Sequence, residues 1–324
     1  RLLGRLVKRL PRALYEIARF QPDLVGFSVL TARYAHAVRF AERMRGLSPH
    51  ARTIIGGHHI SAVPESLAEV FDLAALGEGE DTFCALLECL RDHGDFSPEH
   101  VEGIDGVAYR LDDGSLHKTR PRGLILELDR LAHLDWSLSR PEDLSVDRIS
   151  YREQKAFRAP SHLLYSSRGC AFKCSFCATN SVWSKPGVRH FSAEYTGEAI
   201  ERLYERHGAR ELVVLDDVFA YSKKRVEVLI AELERRRLLG KIRFSHLYVR
   251  ADLVDEGLIS LFAKLGVSSV FIGIESGSQR ILASLKDDRV MVEHVRECVA
   301  LLGRHRIDII GSFMLFCPDE KRDD

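Results

Sequence analysis

Three of the chain's seven cysteines, Cys170, Cys174 and Cys177, fall within eight positions of the segment LLYSSRGCAFKCSFCATN. Thiols at that spacing ligate a metal, close a disulfide or simply pack. A disulfide would strand one of the three. A structural zinc takes four ligands, so His162 or His190 would have to fold in beside the sulfurs. Three thiolates on an iron–sulfur cluster leave one iron open to a substrate or cofactor, which accounts for a count of three. Within the segment, Gly169 permits a tight turn, and Phe172 and Phe176 can shield the sulfurs from water.

The loop follows the apolar run HLLYSS, and from there strand-like and helical stretches alternate. Strands are predicted at HLLYSS, ELVVLDD, IRFSHLYV, VSSVFIGIE and IDIIGSFMLF. Helices are predicted at YTGEAIERLYERHG, KKRVEVLIAELERRR, VDEGLISLFAKLG and MVEHVRECVALLGRHR, with Gly208, Gly240 and Gly266 as C-cap candidates. Four strand–helix units and a fifth strand predict a partial β/α barrel over residues 161–324. In such barrels reactive groups sit at the carboxyl ends of the strands, where the cysteine loop lies.

Residues 1–125 also alternate. DLVGFSVL, RTIIGG and LAALGEGE read as strands, YAHAVRFAERMRGL, PESLAEVF and DTFCALLECLRDHG as helices, and GVAYRLDDGSLHKTR as a hairpin turning at Asp113–Gly114. Three strands where a doubly wound domain has about five predict an incomplete α/β domain. The opening RLLGRLVKRLPRALYEIARF reads as a basic, amphipathic crossover helix. Residues 126–160 read as a linker. The chain starts at Arg1 and stops at CPDEKRDD, and so reads as a fragment truncated at both ends.

Lys plus Arg and Asp plus Glu each number 47 in 324 residues, a formal charge of zero that argues against a nucleic-acid partner. No apolar run reaches the roughly 18 residues of a membrane span, no secretory signal pattern is present, and membrane contact is not expected. Seven cysteines at this density suit a reducing cytoplasm better than a disulfide framework.

Cys-x3-Cys-x2-Cys after a barrel's first strand, with the aromatic Phe176 before the last cysteine, resembles the radical S-adenosylmethionine (SAM) superfamily, from about Ser161 onward. The resemblance implies a 4Fe–4S cluster on Cys170, Cys174 and Cys177, its remaining iron chelated by the amino and carboxylate groups of SAM. Reduction then cleaves the sulfonium C–S bond and releases a 5′-deoxyadenosyl radical. It also implies SAM contacts at successive strand ends. Asp216 and Asp217 of LDDVF stand at the amino group, Arg250 of YVRAD at the carboxylate, and Glu275 and Ser276 of IGIESGS at the ribose. The fifth strand end departs from the pattern, because Phe316 and Asp319 stand where relatives carry glycine.

PDLVGFSVLTAR, IIGGHHISAVPE and LGEGEDTF resemble the cobalamin-binding domain that precedes the barrel in one radical SAM subgroup. The resemblance implies that Gly56, Gly57, Gly77, Glu78 and Gly79 line the nucleotide tail of cobalamin. Read from the residues alone, Gly-Gly is a strand-to-helix turn and Glu78 and Glu80 are helix-start charges. His36, His58 and His59 read as surface or turn histidines in preference to cobalt ligands. Cys84, Cys89 and Cys298 are expected to pack inside apolar helices, while Cys317 is weighed between packing and a second redox group.

Together the two resemblances imply an enzyme that cleaves SAM reductively at the cluster and, with cobalamin, methylates an unactivated carbon of a small-molecule substrate. In that scheme SAM first methylates cob(I)alamin, and a second SAM supplies the radical. A reductant such as flavodoxin or ferredoxin provides electrons. The alternatives are a cobalamin-type radical SAM cyclase or rearranging enzyme without methyl transfer, and a zinc-stabilised scaffold without turnover. No residue beyond the cofactor ligands is singled out as catalytic.

Overall fold

The structure, a computed structural model, describes residues 13–138, 161–179, 187–286, 288–322 and 324. Most of the predicted linker and the first twelve positions of the opening helix lie outside these residues; positions 13–20 are helical. The chain divides into two compact units between Ile125 and Leu126.

In the first unit β1 (Leu24–Ser28), β2 (Arg52–Gly56) and β3 (Leu73–Ala75) lie parallel in that order. The predicted hairpin, β4 (Val107–Arg110) and β5 (Leu116–Lys118), continues the sheet antiparallel. Its turn uses Gly114 at φ 81°. Side chains alternate across the sheet. Ile55, Ala74 and Ala108 pack with Ala41 of α1 (Tyr34–Leu47) and Ile60 of α2 (His58–Ala62). Ile54, Leu73, Val107 and Tyr109 pack with Leu86 and Cys89 of α3 (Glu80–His93) and Val101 of α4 (Pro98–Val101). Helices therefore cover both faces, the doubly wound arrangement.

The predicted helix PESLAEVF does not form. Pro64 has no N–H with which to prolong α2, and only a 3₁₀ turn, Pro64–Ser66, follows. The Arg110 guanidinium donates to the carbonyls of Leu67 (2.7 Å) and Glu65 (3.0 Å), acceptors that such a helix would use.

The second unit begins with β6 (Ser161–Leu164) and a short antiparallel ribbon of β7 (Ser167–Arg168) and β8 (Arg189–His190). Then α5 (Ala193–His207), β9 (Glu211–Val214) and α6 (Lys223–Arg235) follow, with β9 parallel to β6. The predicted third strand is interrupted: β10 (Arg243–Ser245) pairs with β9, whereas β11 (Leu247–Val249) pairs with β12 (Ser269–Glu275). The change of partner occurs at His246, which takes φ 55° and donates its N–H to Ser269 Oγ at 3.0 Å. After α7 (Glu256–Leu265) and β12 comes α8 (Gln279–Lys286), an element the sequence pattern did not reveal. The last elements are α9 (Val292–Arg304) and β13 (Asp308–Phe313), the latter parallel to β12. The result is the run of parallel strands expected of a partial barrel.

Local chemistry explains the helix ends. Ser192 Oγ accepts from Tyr195 N (3.0 Å) and Asp255 Oδ1 from Leu258 N (2.9 Å), which caps α5 and α7. Gly208 and Gly266 close the same helices at φ 67° and 73°. By contrast, α6 ends before Gly240, and Arg237 takes the first left-handed position instead. The core is built on Phe219, Phe244 and Phe262, with aliphatic side chains from the strands and helices around them; each such buried side chain contributes about 1.5–3 kcal/mol. No helix among the described residues is long and apolar enough to cross a membrane.

Candidate cofactor site at the strand ends

The cysteine loop leaves β7 through Gly169, at φ 85°. A Cβ there would lie 2.4 Å from the Gly187 carbonyl oxygen, so only glycine fits. Gly187 N donates to Cys170 O (3.4 Å), closing the base of the loop. Its middle is fastened to the last turn of α8, where Ser175 donates from its backbone to Leu285 O and from its hydroxyl to Ser284 O, both at 3.0 Å. Cys177 N donates to Cys174 O (3.1 Å). Of the two aromatics predicted to shield the sulfurs, Phe172 is buried and Phe176 is 41% exposed.

The three thiols are half-buried and none of the seven cysteines forms a disulfide. Burial pushes the Cys170 thiol up; the Phe172 N–H opposes this, and the nearby Asp217, Cys177 and Cys174 add to it. Cys170 is thus within electrostatic reach of the other two sulfurs. Among the described residues, however, no three His, Cys, Asp or Glu side chains converge as ligands of one metal ion would. The donor set itself, three half-buried thiols on one short loop, is that of a cluster with one open iron, whereas a single tetrahedral ion takes four ligands.

The strand ends that carry Asp216, Asp217 and Arg250 touch this loop or its base, whereas the end that carries Glu275 is joined to it through α8. Asp216 is buried and engaged: Oδ1 accepts from Ser166 N (2.6 Å) and Ser167 N (3.0 Å), and Oδ2 from Ser166 Oγ (2.5 Å). Arg225 lies 3.7 Å from the same carboxylate and donates to Ser166 O at 2.7 Å. Asp216 therefore fixes the β6–β7 junction. Asp217 is the exposed member of the pair, beside Cys170 and 3.3 Å from Thr179 Oγ1.

Arg250 is buried, forms a bidentate pair with Asp252 (2.9 Å for each bond), and lies 3.6 Å over the ring of Phe172. Glu275 takes φ 63° where β12 ends and its carboxylate lies 3.4 Å from Lys286 Nζ. Ser276 is buried, with its Oγ accepting from Ser278 N (3.1 Å). Phe316 and Asp319, standing where glycine was expected, do adopt the left-handed backbone at φ 62° and 64°, and Phe316 is 95% exposed.

Sequence reasoning missed Arg225, Asp252 and Lys286. Arg225 and Lys286 sit on helices away from the strand-end motifs, and α8 itself was not foreseen. A cleft of about 430 Å³, lined by His190, Phe191, Tyr221 and Arg225 among others, lies between the amino ends of α5 and α6. None of the residues predicted for SAM lines it.

In the first unit the glycine turns divide into two kinds. Gly57, at φ 95°, is required by the chain itself, since a Cβ there would lie 2.6 Å from Val29 N. Gly77 and Gly79 have no heavy atom within 4 Å of a Cβ position, leaving bare backbone at the carboxyl edge of the sheet just before the amino end of α3. That fits a bulky ligand with polar groups. Glu78 is buried and accepts from Ile125 N at 2.7 Å. His59 is buried, with Nδ1 3.1 Å from Thr31 Oγ1 and Nε2 3.1 Å from Ser66 Oγ, so both ring nitrogens are in use. His58 is exposed and His36 half-buried.

Of the remaining cysteines, Cys89 and Cys298 pack as expected, and burial drives Cys298 up to about 12. Cys84 is exposed, contrary to expectation, because it falls on the outer face of amphipathic α3. Cys317 packs with Ile281 and Leu285 of α8.

Comparison with known proteins extends these observations. The family profile of the Radical SAM superfamily matches residues 164–324, and that of the B12 binding domain matches residues 2–87. An uncharacterized methyltransferase of Pyrococcus horikoshii is 27% identical over 95% of this chain and 63% of its own. The cytidylyl-2-hydroxyethylphosphonate methyltransferase of Streptomyces wedmorensis is 29% identical over 92% of this chain and 58% of its own. The anaerobic magnesium-protoporphyrin IX monomethyl ester cyclase of Rubrivivax gelatinosus is 27% identical over 94% and 53%. The chain thus spans between 53% and 63% of the length of these relatives. Among solved structures, the cobalamin-dependent SAM radical enzyme OxsB superposes with a TM-score of 0.74 at 19% identity, over 95% of this chain and 43% of its own, a likeness of fold. Two family matches in succession along one chain, on a fold that carries a three-cysteine loop at its first barrel strand, lead to one conclusion: the chain belongs to the radical SAM superfamily, in the cobalamin-dependent subgroup with an N-terminal B12-binding domain, whose cofactors are a 4Fe–4S cluster, SAM and cobalamin.

Proposed function

We propose that this chain is the cofactor-binding part of an enzyme that methylates an unactivated carbon of a small molecule. Residues 161–324 hold the cluster and SAM, residues 1–125 hold cobalamin, and residues 126–160 join them. Bound there, the reduced cluster supplies the electron that breaks the sulfonium C–S bond, and cobalamin supplies a methyl carrier. The chain's own residues do the rest. Cys170, Cys174 and Cys177 provide thiolates, and Gly169, Ser175 and Phe172 fix the loop that carries them. Asp217 offers an exposed carboxylate beside the loop for an ammonium group. Asp216 and Arg250 hold the loop's two flanks, and Glu275 and Ser276 close the ring of strand ends. The open turn at Gly77 and Gly79 accepts the cobalamin tail. An electron donor such as flavodoxin or ferredoxin serves the cluster.

The observation that carries this reading is the presence, in one chain, of both family matches with a half-buried three-thiol loop directly after the first barrel strand. After anaerobic reconstitution we expect about four irons and four sulfides per chain, 5′-deoxyadenosine on addition of dithionite and SAM, and label from methyl-labelled SAM in the product. One zinc per chain with no iron would instead make this a scaffold. A second reading, ring closure or rearrangement without methyl transfer, is favoured by the similarity to the Rubrivivax cyclase; it requires 5′-deoxyadenosine without label in the product.

A further inference from the structure

Lys286, the last residue of α8, is 5% exposed and has no part in the scheme above. A lysine this buried is held by specific partners, because its charge is otherwise costly to desolvate. Two partners are visible among the described residues. Nζ donates to the carbonyl of Gly273 and lies 3.4 Å from Oε1 of Glu275, itself 7% exposed. Around this contact β12 is irregular: its register with β13 shifts between Gly273 and Glu275, and Glu275 takes the left-handed backbone at φ 63°. The carboxylate folds back over the bare Cα of Gly273, where a Cβ would lie 2.2 Å from Oε1 and 3.1 Å from Nζ. One turn of helix therefore performs two tasks. Ser284 and Leu285 offer their carbonyls to Ser175 of the cysteine loop, and Lys286 sets the position of Glu275.

We infer that Lys286 is a positioning residue for SAM. It holds the Glu275 carboxylate, and the irregular strand end that carries it, at a fixed offset from the cysteine loop, so that SAM meets both in one arrangement. The inference rests on the reading above that Glu275 contacts SAM. Its charge and its hydrogen bond are separable, because Lys286→Gln retains a donor for the Gly273 carbonyl but leaves the buried carboxylate without a counter-charge.

The test is SAM affinity of the anaerobically reconstituted protein, read as the change in the EPR signal of the reduced cluster during titration, with iron content and thermal unfolding measured alongside. Glu275→Gln and Lys286→Gln should each weaken SAM about tenfold at unchanged iron content, and the double variant should be no weaker than the worse single one, as for residues acting as a unit. Lys286→Arg should restore most of the affinity. Wild-type affinity in Lys286→Gln, with Glu275→Gln weakened, would overturn the inference and leave the assignment of Glu275 standing. Wild-type affinity in Glu275→Gln would remove that assignment and the inference with it. Loss of iron or of the folded state in Lys286→Gln, undone in Lys286→Arg, would make the lysine a scaffold residue and equally overturn the positioning role.

Discussion

The carboxyl edges of the two units are built from different materials. In the first unit the edge is mostly backbone: Gly57 packs against Val29, Gly77 and Gly79 stand open, and the buried Glu78 is tied to the backbone of Ile125. In the second unit the strand ends carry paired charges, each pair with at least one buried member: Asp216 with Arg225, Arg250 with Asp252, and Glu275 with Lys286. Bare backbone allows a large ligand to approach closely but specifies little about its orientation. Paired charges cost desolvation when the chain folds, and in return fix side chains and loops before a ligand arrives. The second edge is therefore preorganised and the first is permissive, which suits a compact zwitterion on one and a bulky cofactor on the other.

The comparison can be broken at several points. The largest effect is expected for Asp216→Ala, which leaves the N–H groups of Ser166 and Ser167 without their buried acceptor and Arg225 without its counter-charge. Stability should fall by about 3–5 kcal/mol, seen in chemical denaturation, and iron content should fall with it because the same carboxylate holds the base of the cysteine loop. Next is Gly169→Ala, whose Cβ would meet the Gly187 carbonyl at a positive φ. A cost of about 1–3 kcal/mol should fall on the loop, so iron bound per chain drops while the midpoint of global unfolding moves little.

Gly79→Ala should have the opposite profile. Its φ of −87° suits alanine and no atom stands in the way, so stability should change by less than about 0.5 kcal/mol. Cobalamin retained after gel filtration should nevertheless decrease. Full retention in this variant would mean that the open turn is not where the cofactor approaches, and the contrast between the two edges would lose its functional meaning.

The smallest effect concerns Glu232 on α6, whose carboxyl is held down to about 2 by hydrogen bonds from Arg235 and Arg236. A depressed carboxyl contributes stability above its ordinary value of 4.5 and loses it as the pH falls toward 2. Glu232→Gln should therefore be less stable than the parent at pH 7, by about 1 kcal/mol. The gap in melting temperature should close as the pH approaches 2. A gap that persists there would show that packing, rather than charge, makes Glu232 matter.

Much of this architecture was legible in the residues. Strand-like runs such as RTIIGG and LAALGEGE, alternating with helical stretches, marked a doubly wound sheet, and Ile54 and Ile55 do pack under helices on its opposite faces. The spacing of Cys170, Cys174 and Cys177 marked the loop, and the order of the strand-end motifs marked its surroundings. The failures share one cause. PESLAEVF has helical composition, but Arg110, some forty positions downstream, takes the carbonyls a helix needs. SQRILASLK went unread because it is a short helix between a strand and a loop, recognisable only when Lys286 is seen beneath Glu275.

By itself, then, the sequence determined which residues can donate to a metal, which strands repeat and where the backbone must turn left-handed. These depend on residue type and short-range spacing. Only the tertiary structure decided which charges serve the fold and which face outward. Asp216 and Asp217 are adjacent and chemically identical, yet one is locked beneath the loop and the other stands exposed beside it. That difference arises because burial and hydrogen-bond partners are supplied by segments distant in the chain, and a carboxylate's role follows from what surrounds it.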